Sequence, residues 1–352
     1  MKRKKLLINN LITYAIVVIA FIVCQSMIAN GQMTRALKGQ MVPICVYIVM
    51  AVSLNLVVGI SGELSLGHAG FMSIGAFSGP IASAWLLGAF GLENTVARLV
   101  LSMLIGGAFA GIAGVLIGIP VLRLRGDYLA IVTLAFGEII RNVVNCLYFS
   151  LDGNRLYASF NNPNLPGTVL VNGPAGATGI QKIASFPVGF ALILFTLFVV
   201  LNLVDSRSGR AIMATRDNRI AAEAMGINVT KYKMMAFVTA AVLAGMAGAL
   251  YGLNFSTVAA SKFKFDTSIL VLVFVVLGGI GNIRGSIIAA ALLTVLPELL
   301  RAFADYRMLV YAIVLILVML ATNNPMIRSM FERLTQRRQP AVRVDKKGGA
   351  AE

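Results

Sequence analysis

Charged residues are scarce in this 352-residue chain. Only 12% of its residues are Asp, Glu, Lys or Arg, whereas 58% are hydrophobic and the mean hydropathy is +0.86. An average soluble domain has about twice that charged share, and a soluble globule of this size cannot bury so much apolar surface. A disordered chain needs the opposite composition. The composition therefore excludes a soluble enzyme and a disordered protein.

The chain also has few of the residues that form metal sites and disulfides. It contains one His and three Cys, and the Cys lie in apolar stretches without metal-ligand spacing. Buried free thiols are the simplest interpretation of these Cys. The sequence contains no Walker A motif, nucleophile elbow or zincin motif. We therefore expect no ATP hydrolysis or other catalysis by this chain, and no cofactor or metal of its own.

Long apolar runs are abundant instead. Eight windows without charge are long enough to cross a bilayer, which takes about 20 residues, and two more carry a charge pair near one end. The sequence thus predicts an all-α integral membrane protein of about ten transmembrane helices, of which one or more are short or broken. The window 267–283, which is short and interrupted by Gly278, Gly279 and Gly281, is the candidate for such a helix. The uncharged windows are 6–29, 41–60, 69–90, 99–122, 184–204, 234–254, 267–283 and 308–324, and the two others are 128–147 and 285–303.

The distribution of Lys and Arg predicts the orientation of these spans. With ten crossings and a cytoplasmic N-terminus, the cytoplasmic segments hold 20 of the 30 Lys and Arg residues, as the positive-inside rule expects. Both termini are then inside. A transmembrane domain covers 1–324, with a cytoplasmic loop at 205–233 and an external loop at 148–183, and a basic cytoplasmic tail follows at 325–352. The net charge of +16 reflects this rule and the membrane lipid, not nucleic acid, for which no motif is present.

Small residues recur at intervals of four in three of the windows. This spacing predicts helices that pack at close backbone distance in lipid, or a face that meets a second subunit. The stripes are Gly106, Ala110, Gly114 and Gly118, then Ala240, Ala244, Gly248 and Gly252, and the shorter pair Gly75 and Gly79.

The cytoplasmic loop contains a candidate short helix. Asp217 or Asn218 can cap its start, and Gly226 stands where a glycine often ends a helix. Two turns are too short to be stable alone. The helix would therefore dock into a groove of another protein or lie on the membrane surface as an amphipathic linker, and its spacing does not distinguish the two. Its small apolar face would consist of Ile220, Ala221, Ala224 and Met225.

Polar residues within or beside the apolar windows are candidates for a translocation path or gate. The segment 61–71, SGELSLGHAGF, is either a broken helix near such a path or a turn in which Ser65 caps the next helix. Glu138 and Arg141 have the i, i+3 spacing of a helical ion pair, which would be structural, part of an outer gate or a docking point. The candidates are Asn55, Glu63, Ser65, His68, Glu138 and Arg141.

Four blocks of the sequence resemble the LivM-type permeases of ATP-binding-cassette (ABC) importers for branched-chain amino acids. One block includes the loop sequence AAEAMG at 221–226. Arg219 departs from the acidic or neutral residue expected in that family. The blocks are 53–77 (SLNLVVGISGELSLGHAGFMSIGAF), 126–145 (GDYLAIVTLAFGEIIRNVVN), 207–251 and 277–292 (LGGIGNIRGSIIAAAL).

The resemblance implies a non-enzymatic transport subunit of the bacterial cytoplasmic membrane. Its partners would be a LivH-type permease, two ABC ATPase subunits that bind the ATP, and a periplasmic or lipid-anchored amino-acid binding protein. Related importers of urea, short amides or sugars are alternatives, as is an ion-coupled secondary transporter in which Glu138 carries protons. The helix that couples the chain to the ATPases would comprise Asp217, Ile220, Ala221, Ala222, Glu223, Ala224, Met225 and Gly226.

Overall fold

A computed structural model of the chain describes residues 2–31, 33–124, 126–153, 155–160 and 165–300, and the single positions 309, 312, 313 and 316. The chain divides into two units, Met1–Leu299 and Leu300–Glu352. Of the second unit, residue 300 and the four single positions, which are helical, are described. Nearly all of the predicted window 308–324, and the whole basic tail 325–352, therefore lie outside the described residues.

The described part of the first unit is mostly helical. Eleven α-helices fall within it, and a short π-helical turn, Leu56–Ile60, continues the second of them. The helices are α1 (Lys2–Ala29), α2 (Arg35–Asn55), α3 (His68–Phe90), α4 (Thr95–Val121), α5 (Asp127–Asn145), α6 (Phe186–Asp205), α7 (Arg207–Asp217), α8 (Arg219–Ala224), α9 (Val229–Gly252), α10 (Phe265–Gly278) and α11 (Ile283–Leu299).

Seven of these helices, α1 to α6 and α9, are long and apolar enough to cross a membrane. They coincide with seven of the ten predicted windows. Helix α10 matches the window 267–283 but has only 14 residues, or about 21 Å at 1.5 Å per residue, which is less than the roughly 30 Å of a hydrocarbon core. It ends where Gly279 and Gly281 take positive φ angles of 91° and 82°. The expectation of a short helix at this window is confirmed, and α11 matches the window 285–303 as far as it is described.

The centre of the first unit is the packing of α3, α4 and α9 through small residues. A Cβ atom added at Gly75 on α3 would overlap the backbone carbonyl of Gly245 on α9, and one added at Gly106 on α4 would lie 2.9 Å from the Cβ of Ala249. Gly248 likewise has no room for a side chain beside the Met72 carbonyl. Because apolar burial drives helix association only weakly in lipid, this close backbone contact is what holds the three helices together. The small-residue stripes therefore pack within the chain.

The other helices surround this core. Helix α2 packs against α6, α9, α10 and α11, and its second half is buried. Helix α1 lies at the periphery, where Phe21 stacks on Phe186 and Phe190 of α6 with ring centroids 5.3 and 4.1 Å apart. Most of the span Asn10–Ala29 of α1 is exposed in the isolated chain, which leaves it in contact with lipid or with another subunit.

The predicted loop 148–183 contains a small antiparallel sheet, which is a correction to the sequence analysis. Its strands are β1 (Leu147–Asp152), β2 (Arg155–Phe160) and β3 (Thr168–Asn172), in the order β2-β1-β3. The Asn and Pro residues between β2 and β3 made the whole stretch look like a loop, although Tyr148, Phe149 and Val169 favour strands. The chain then pairs Ala177 with Val258 through two hydrogen bonds of 2.9 Å. We call this end of the unit, residues 147–184, the sheet end. The segment that follows the other end of α6, residues 206–233, includes α7, α8 and the first residues of α9, and we call it the loop end.

The close packing of α9 predicts that a side chain at Gly248 destabilises the protein. We expect Gly248→Val to lower the free energy of unfolding by about 1–3 kcal/mol, because the added atoms must displace the backbone of α3. Thermal unfolding of the purified protein in detergent measures the change. The matched control is Gly39→Val on α2, where a Cβ meets nothing within 4 Å. Equal stability of the two variants would contradict the packing described here.

Candidate functional site at the loop end and the helix breaks

The loop end is a pair of short helices with capped starts. Ser206 Oγ accepts a hydrogen bond from the Gly209 N–H (3.1 Å) at the start of α7, and Asn218 Oδ1 accepts one from the Ala221 N–H (3.0 Å) at the start of α8. Gly226 follows α8 with a φ of 78°, a conformation that glycine adopts without strain. Of the two caps that the sequence allows, the structure has Asn218, and α8 begins at Arg219. Asp217, which was assigned to the coupling helix, is instead the last residue of α7.

Helix α8 exposes an apolar face. The side chains of Ile220 and Met225 are 80% and 82% exposed, and Ala221 and Ala224 are exposed beside them. Ala222 points the other way and is buried. On the outer surface, Arg219 Nε donates to Glu223 Oε1 at 2.9 Å, one helical turn away. A cluster of exposed large apolar side chains on a polar loop is typical of a docking surface.

The first helix break separates α2 from α3. After the π-helical turn, residues 61–67 are irregular, and Gly67 rather than Ser65 occupies the cap position of α3. Side chains from other helices pair with its backbone: Thr133 Oγ1 accepts from the Leu66 N–H (3.0 Å) and Ser268 Oγ accepts from the Ala69 N–H (3.1 Å). Irregular backbone inside a membrane bundle needs such partners.

Other polar groups of this break are buried within the chain. The imidazole Nε2 of His68 lies 2.8 Å from the Ser53 hydroxyl, and both side chains are almost fully buried. The hydroxyls of Ser61 and Ser65 are also buried, and they have no hydrogen-bond partner among the described residues. These positions contact protein on all sides in the isolated chain, so the contacts of Ser65 and His68 favour a structural role.

The second break, between α10 and α11, is joined to the first by one side chain. Asn55 Oδ1 accepts from the Gly281 N–H at 2.8 Å, and Asn55 Nδ2 donates to Ser286 Oγ at 2.9 Å. Asn55 is completely buried. The two breaks are in direct contact at Gly59, where there is no room for a side chain. A Cβ atom added there would overlap both the Asn55 amide and the backbone of Gly281.

Two polar contacts connect the loop end to the first break. Arg216 Nη1 on α7 donates to the Gly59 carbonyl at 2.8 Å, while its Nε and Nη2 donate to Asp217. Lys233 in the first turns of α9 forms an ion pair with Glu63, and both side chains are largely buried. Helix α7 thus contacts the backbone of the break, and the start of α9 contacts one of its side chains.

The predicted pair on α5 also forms. Arg141 Nε donates to Glu138 Oε2 at 2.7 Å, and the side chains are 21% and 32% exposed. Glu138 lies about one and a half turns beyond Thr133 on α5 and shares a small cavity with Leu66 and Ser268. The pair thus lies beside the first break. Asn55, in contrast, makes the contact between the two breaks, and Glu63 makes a contact between the first break and the loop end.

Several residues of this site are absent from the sequence-based candidates. Thr133, Ser268 and Ser286 looked like ordinary hydroxyls in apolar windows, and Arg216 and Lys233 looked like loop and interface charges. One signal could have identified the three hydroxyl residues: a hydroxyl in a membrane span has to find a hydrogen-bond partner within the protein.

Comparison with known proteins places this architecture in a family. The family described as "Branched-chain amino acid transport system / permease component" matches residues 36–319. No solved structure matches the chain.

Individual relatives agree with this assignment. The high-affinity branched-chain amino acid transport system permease protein LivM is 33% identical in Salmonella typhimurium and 34% identical in Escherichia coli, each over 309 residues and 78% of this chain. The match covers 66% of the length of these LivM proteins. The LivH permease of Salmonella typhimurium is 32% identical over 151 residues, 42% of this chain and 47% of its own. The ribose import permease RbsC of Haemophilus influenzae is 27% identical over 231 residues, 63% of this chain and 66% of its own.

The family match covers most of the chain, and the similarity to the LivM proteins covers 78% of it. With its seven apolar helices, the chain is a multi-pass protein of the bacterial cytoplasmic membrane. It belongs to the family of permease components of branched-chain amino-acid transport systems.

Proposed function

We propose that this chain is a transmembrane permease subunit of an ABC importer, which moves branched-chain or other apolar amino acids into the cytoplasm. It crosses the membrane ten times, with both termini and the loop end in the cytoplasm. It binds no ATP itself and has no enzymatic activity. Its partners are a LivH-type permease, two ATPase subunits, and an amino-acid binding protein on the other side of the membrane. Membership of the family and the similarity to both LivM and LivH support this assignment.

The observation that carries the proposal is the apolar face of α8. A helix of six residues is not stable in isolation, yet here Asn218 caps it and the burial of Ala222 anchors it to the rest of the loop end. It holds Ile220 and Met225 outward, and burying each of them in a groove is worth about 1.5–3 kcal/mol. We assign this groove to an ATPase subunit, with α8 as the coupling helix.

Movement of the docked helix reaches the spans through the polar contacts at the first break. Arg216 on α7 is hydrogen-bonded to Gly59, and Lys233 at the start of α9 forms an ion pair with Glu63. Asn55 then connects the first break to the second. In this account Asn55, Glu63, Ser65 and His68 hold the breaks in register, and Glu138 with Arg141 supports the break from α5. They act on the path by positioning the helices that line it.

Two alternative functions, an ion-coupled secondary transporter and an importer for a sugar, explain fewer of these observations. An ion-coupled secondary transporter has no need of an exposed apolar face at its cytoplasmic end. An importer for a sugar uses the same architecture, and the similarity to a ribose import permease is consistent with it. The similarity to the LivM proteins is higher and extends over more of the chain, which favours an amino-acid substrate.

Removing the apolar character of α8 tests the docking. We expect Ile220→Asp and Met225→Asp each to weaken binding of the ATPase subunits about tenfold or more, because a charge cannot enter an apolar groove. Co-purification of the ATPase from cells that express all subunits measures the effect. Leu124→Asp is the control, since Leu124 is an exposed apolar residue outside the loop end. Normal assembly of both α8 variants would contradict the assignment of α8 as the helix that docks on the ATPase.

Substitution of Arg216 tests the transmission. We expect the Arg216→Met complex to assemble and hydrolyse ATP at its basal rate, but to lose most of its stimulation by the loaded binding protein. A lost charge-assisted hydrogen bond of about 1.5–3 kcal/mol sets the size of the effect, on the order of ten- to a hundredfold. The ratio of stimulated to basal ATP hydrolysis in proteoliposomes is the measurement.

The matched control for this variant is Arg210→Met on the same helix. Arg210 is exposed, and among the described residues its Nη1 donates to the nearby Asp205 carbonyl. The transmission route is wrong if Arg216→Met keeps the wild-type ratio, or if Arg210→Met loses stimulation to the same extent.

A further inference from the structure

The chain between α9 and α10 re-enters the bundle without forming a spanning helix. We call residues 253–266, which end in the first turn of α10, the re-entrant segment. Near its start, Val258 pairs with Ala177 at the sheet end. Near its other end, Lys264 borders the small cavity that Glu138 of α5 also lines. Glu138 lies about two turns before Asn145, the last residue of α5, which is about 10 Å along the helix axis. The segment therefore runs from the sheet end into the apolar length of the α5 span.

The re-entrant segment has an apolar side and a polar side. Phe263 is buried, and its ring meets those of Phe77 and Tyr251 edge-on, with centroids 6.3 and 5.9 Å apart. Val258 and Ala260 are buried as well. The apolar side thus anchors the segment to α3 and α9, and polar side chains point away from the bundle. These exposed residues are Ser256, Thr257, Ser261, Lys262, Lys264 and Asp266.

This arrangement is the reverse of a surface that faces lipid. Charged side chains and irregular backbone at membrane depth are costly in hydrocarbon, and they occur where the chain is buried in protein or lines a water-filled cavity. Lys262, Lys264 and Asp266 are not in the ion pairs of the described part of the chain. A long lysine side chain can extend to the membrane surface, whereas the side chain of Asp266 is too short to do so. Contact with water satisfies all three charges.

We propose that the polar side of the re-entrant segment lines the water-filled path along which the substrate crosses. The identity of that substrate rests on the proposed transport function. In the proposed topology the sheet end faces outward, so the path opens where the segment begins. It continues toward the first break, because Ser268, just beyond the segment, bonds the backbone of Ala69 there. Glu138 adjoins this wall through the cavity that it shares with Lys264, whereas Ser65 and His68 are buried behind it.

Cysteine labelling tests the lining in spheroplasts of cells that express all subunits of the importer. The probe is a methanethiosulfonate reagent with a fixed positive charge, which does not cross the membrane and reacts with thiols that water can reach. We expect it to label Ser261→Cys and Lys262→Cys. The attached group then obstructs the path, so each variant should lose most of its leucine uptake relative to its own rate before labelling.

Three controls bracket this result. The wild type, with its three native cysteines, gives the background of labelling and uptake. Arg155→Cys places a thiol on the exposed surface of β2 at the sheet end, and it should be labelled without loss of uptake. Phe195→Cys replaces an exposed apolar residue of the α6 span, and it should remain unlabelled. Labelling in the assembled complex, confirmed by co-purification of the ATPase, is a readout even for a variant that transports slowly.

Two results would overturn the inference. If Ser261→Cys and Lys262→Cys stay unlabelled while Arg155→Cys is labelled, the segment contacts lipid or a partner permease. If they are labelled and uptake continues as it does in Arg155→Cys, the segment lies on the outer surface and not in the path. Either result, with ATP-dependent leucine uptake intact, removes this lining and leaves the transport role. Labelling that blocks an uptake driven by the proton gradient would keep the lining and remove the importer role.

Discussion

One buried amide joins the two interruptions of this helical bundle. Asn55 accepts from the backbone of Gly281 and donates to Ser286, so that the break after α2 and the break after α10 are held as a pair. In lipid, no water is present to satisfy a backbone group that leaves its helix. The break after α2 therefore depends on side chains from α5 and α10 as well. The hydrogen bonds from these side chains to the backbone of the break fix where α5 and α10 lie.

The same pair of breaks is where the loop end is attached. Arg216 donates to the carbonyl of Gly59, the residue whose missing side chain lets the two breaks touch. Lys233 and Glu63 form a second attachment, and their charges offset each other in a largely buried place. Because α3, α4 and α9 pack closely next to these contacts, we expect a displacement of α7 and α8 to move whole helices. Arg219 forms an ion pair with Glu223 within α8, and this pair lies away from the apolar face.

Local patterns predicted the elements but not their partners. Long apolar windows marked seven spanning helices, glycines marked the short α10, and the spacing at 217–226 marked α8 with its apolar face. The pairing of Asn55 with Gly281 and Ser286 joins residues more than 220 positions apart, and no local pattern contains that information. The three short strands at 147–172 were not predicted, because the Asn and Pro residues among them are typical of loops and no strand is long enough to give a clear pattern. Asp217 was placed in α8 because Asp and Asn cap helices about equally well, and the structure selects Asn218.

The most direct test of the central claim is the coupling of ATP hydrolysis to substrate in the reconstituted complex. The chain and its partner subunits, in proteoliposomes, should hydrolyse ATP faster when leucine-loaded binding protein is added, and leucine uptake should continue when the proton gradient is collapsed. Docking at α8 and transmission through the paired breaks require both results. Uptake that needs no nucleotide and follows the proton gradient would contradict it.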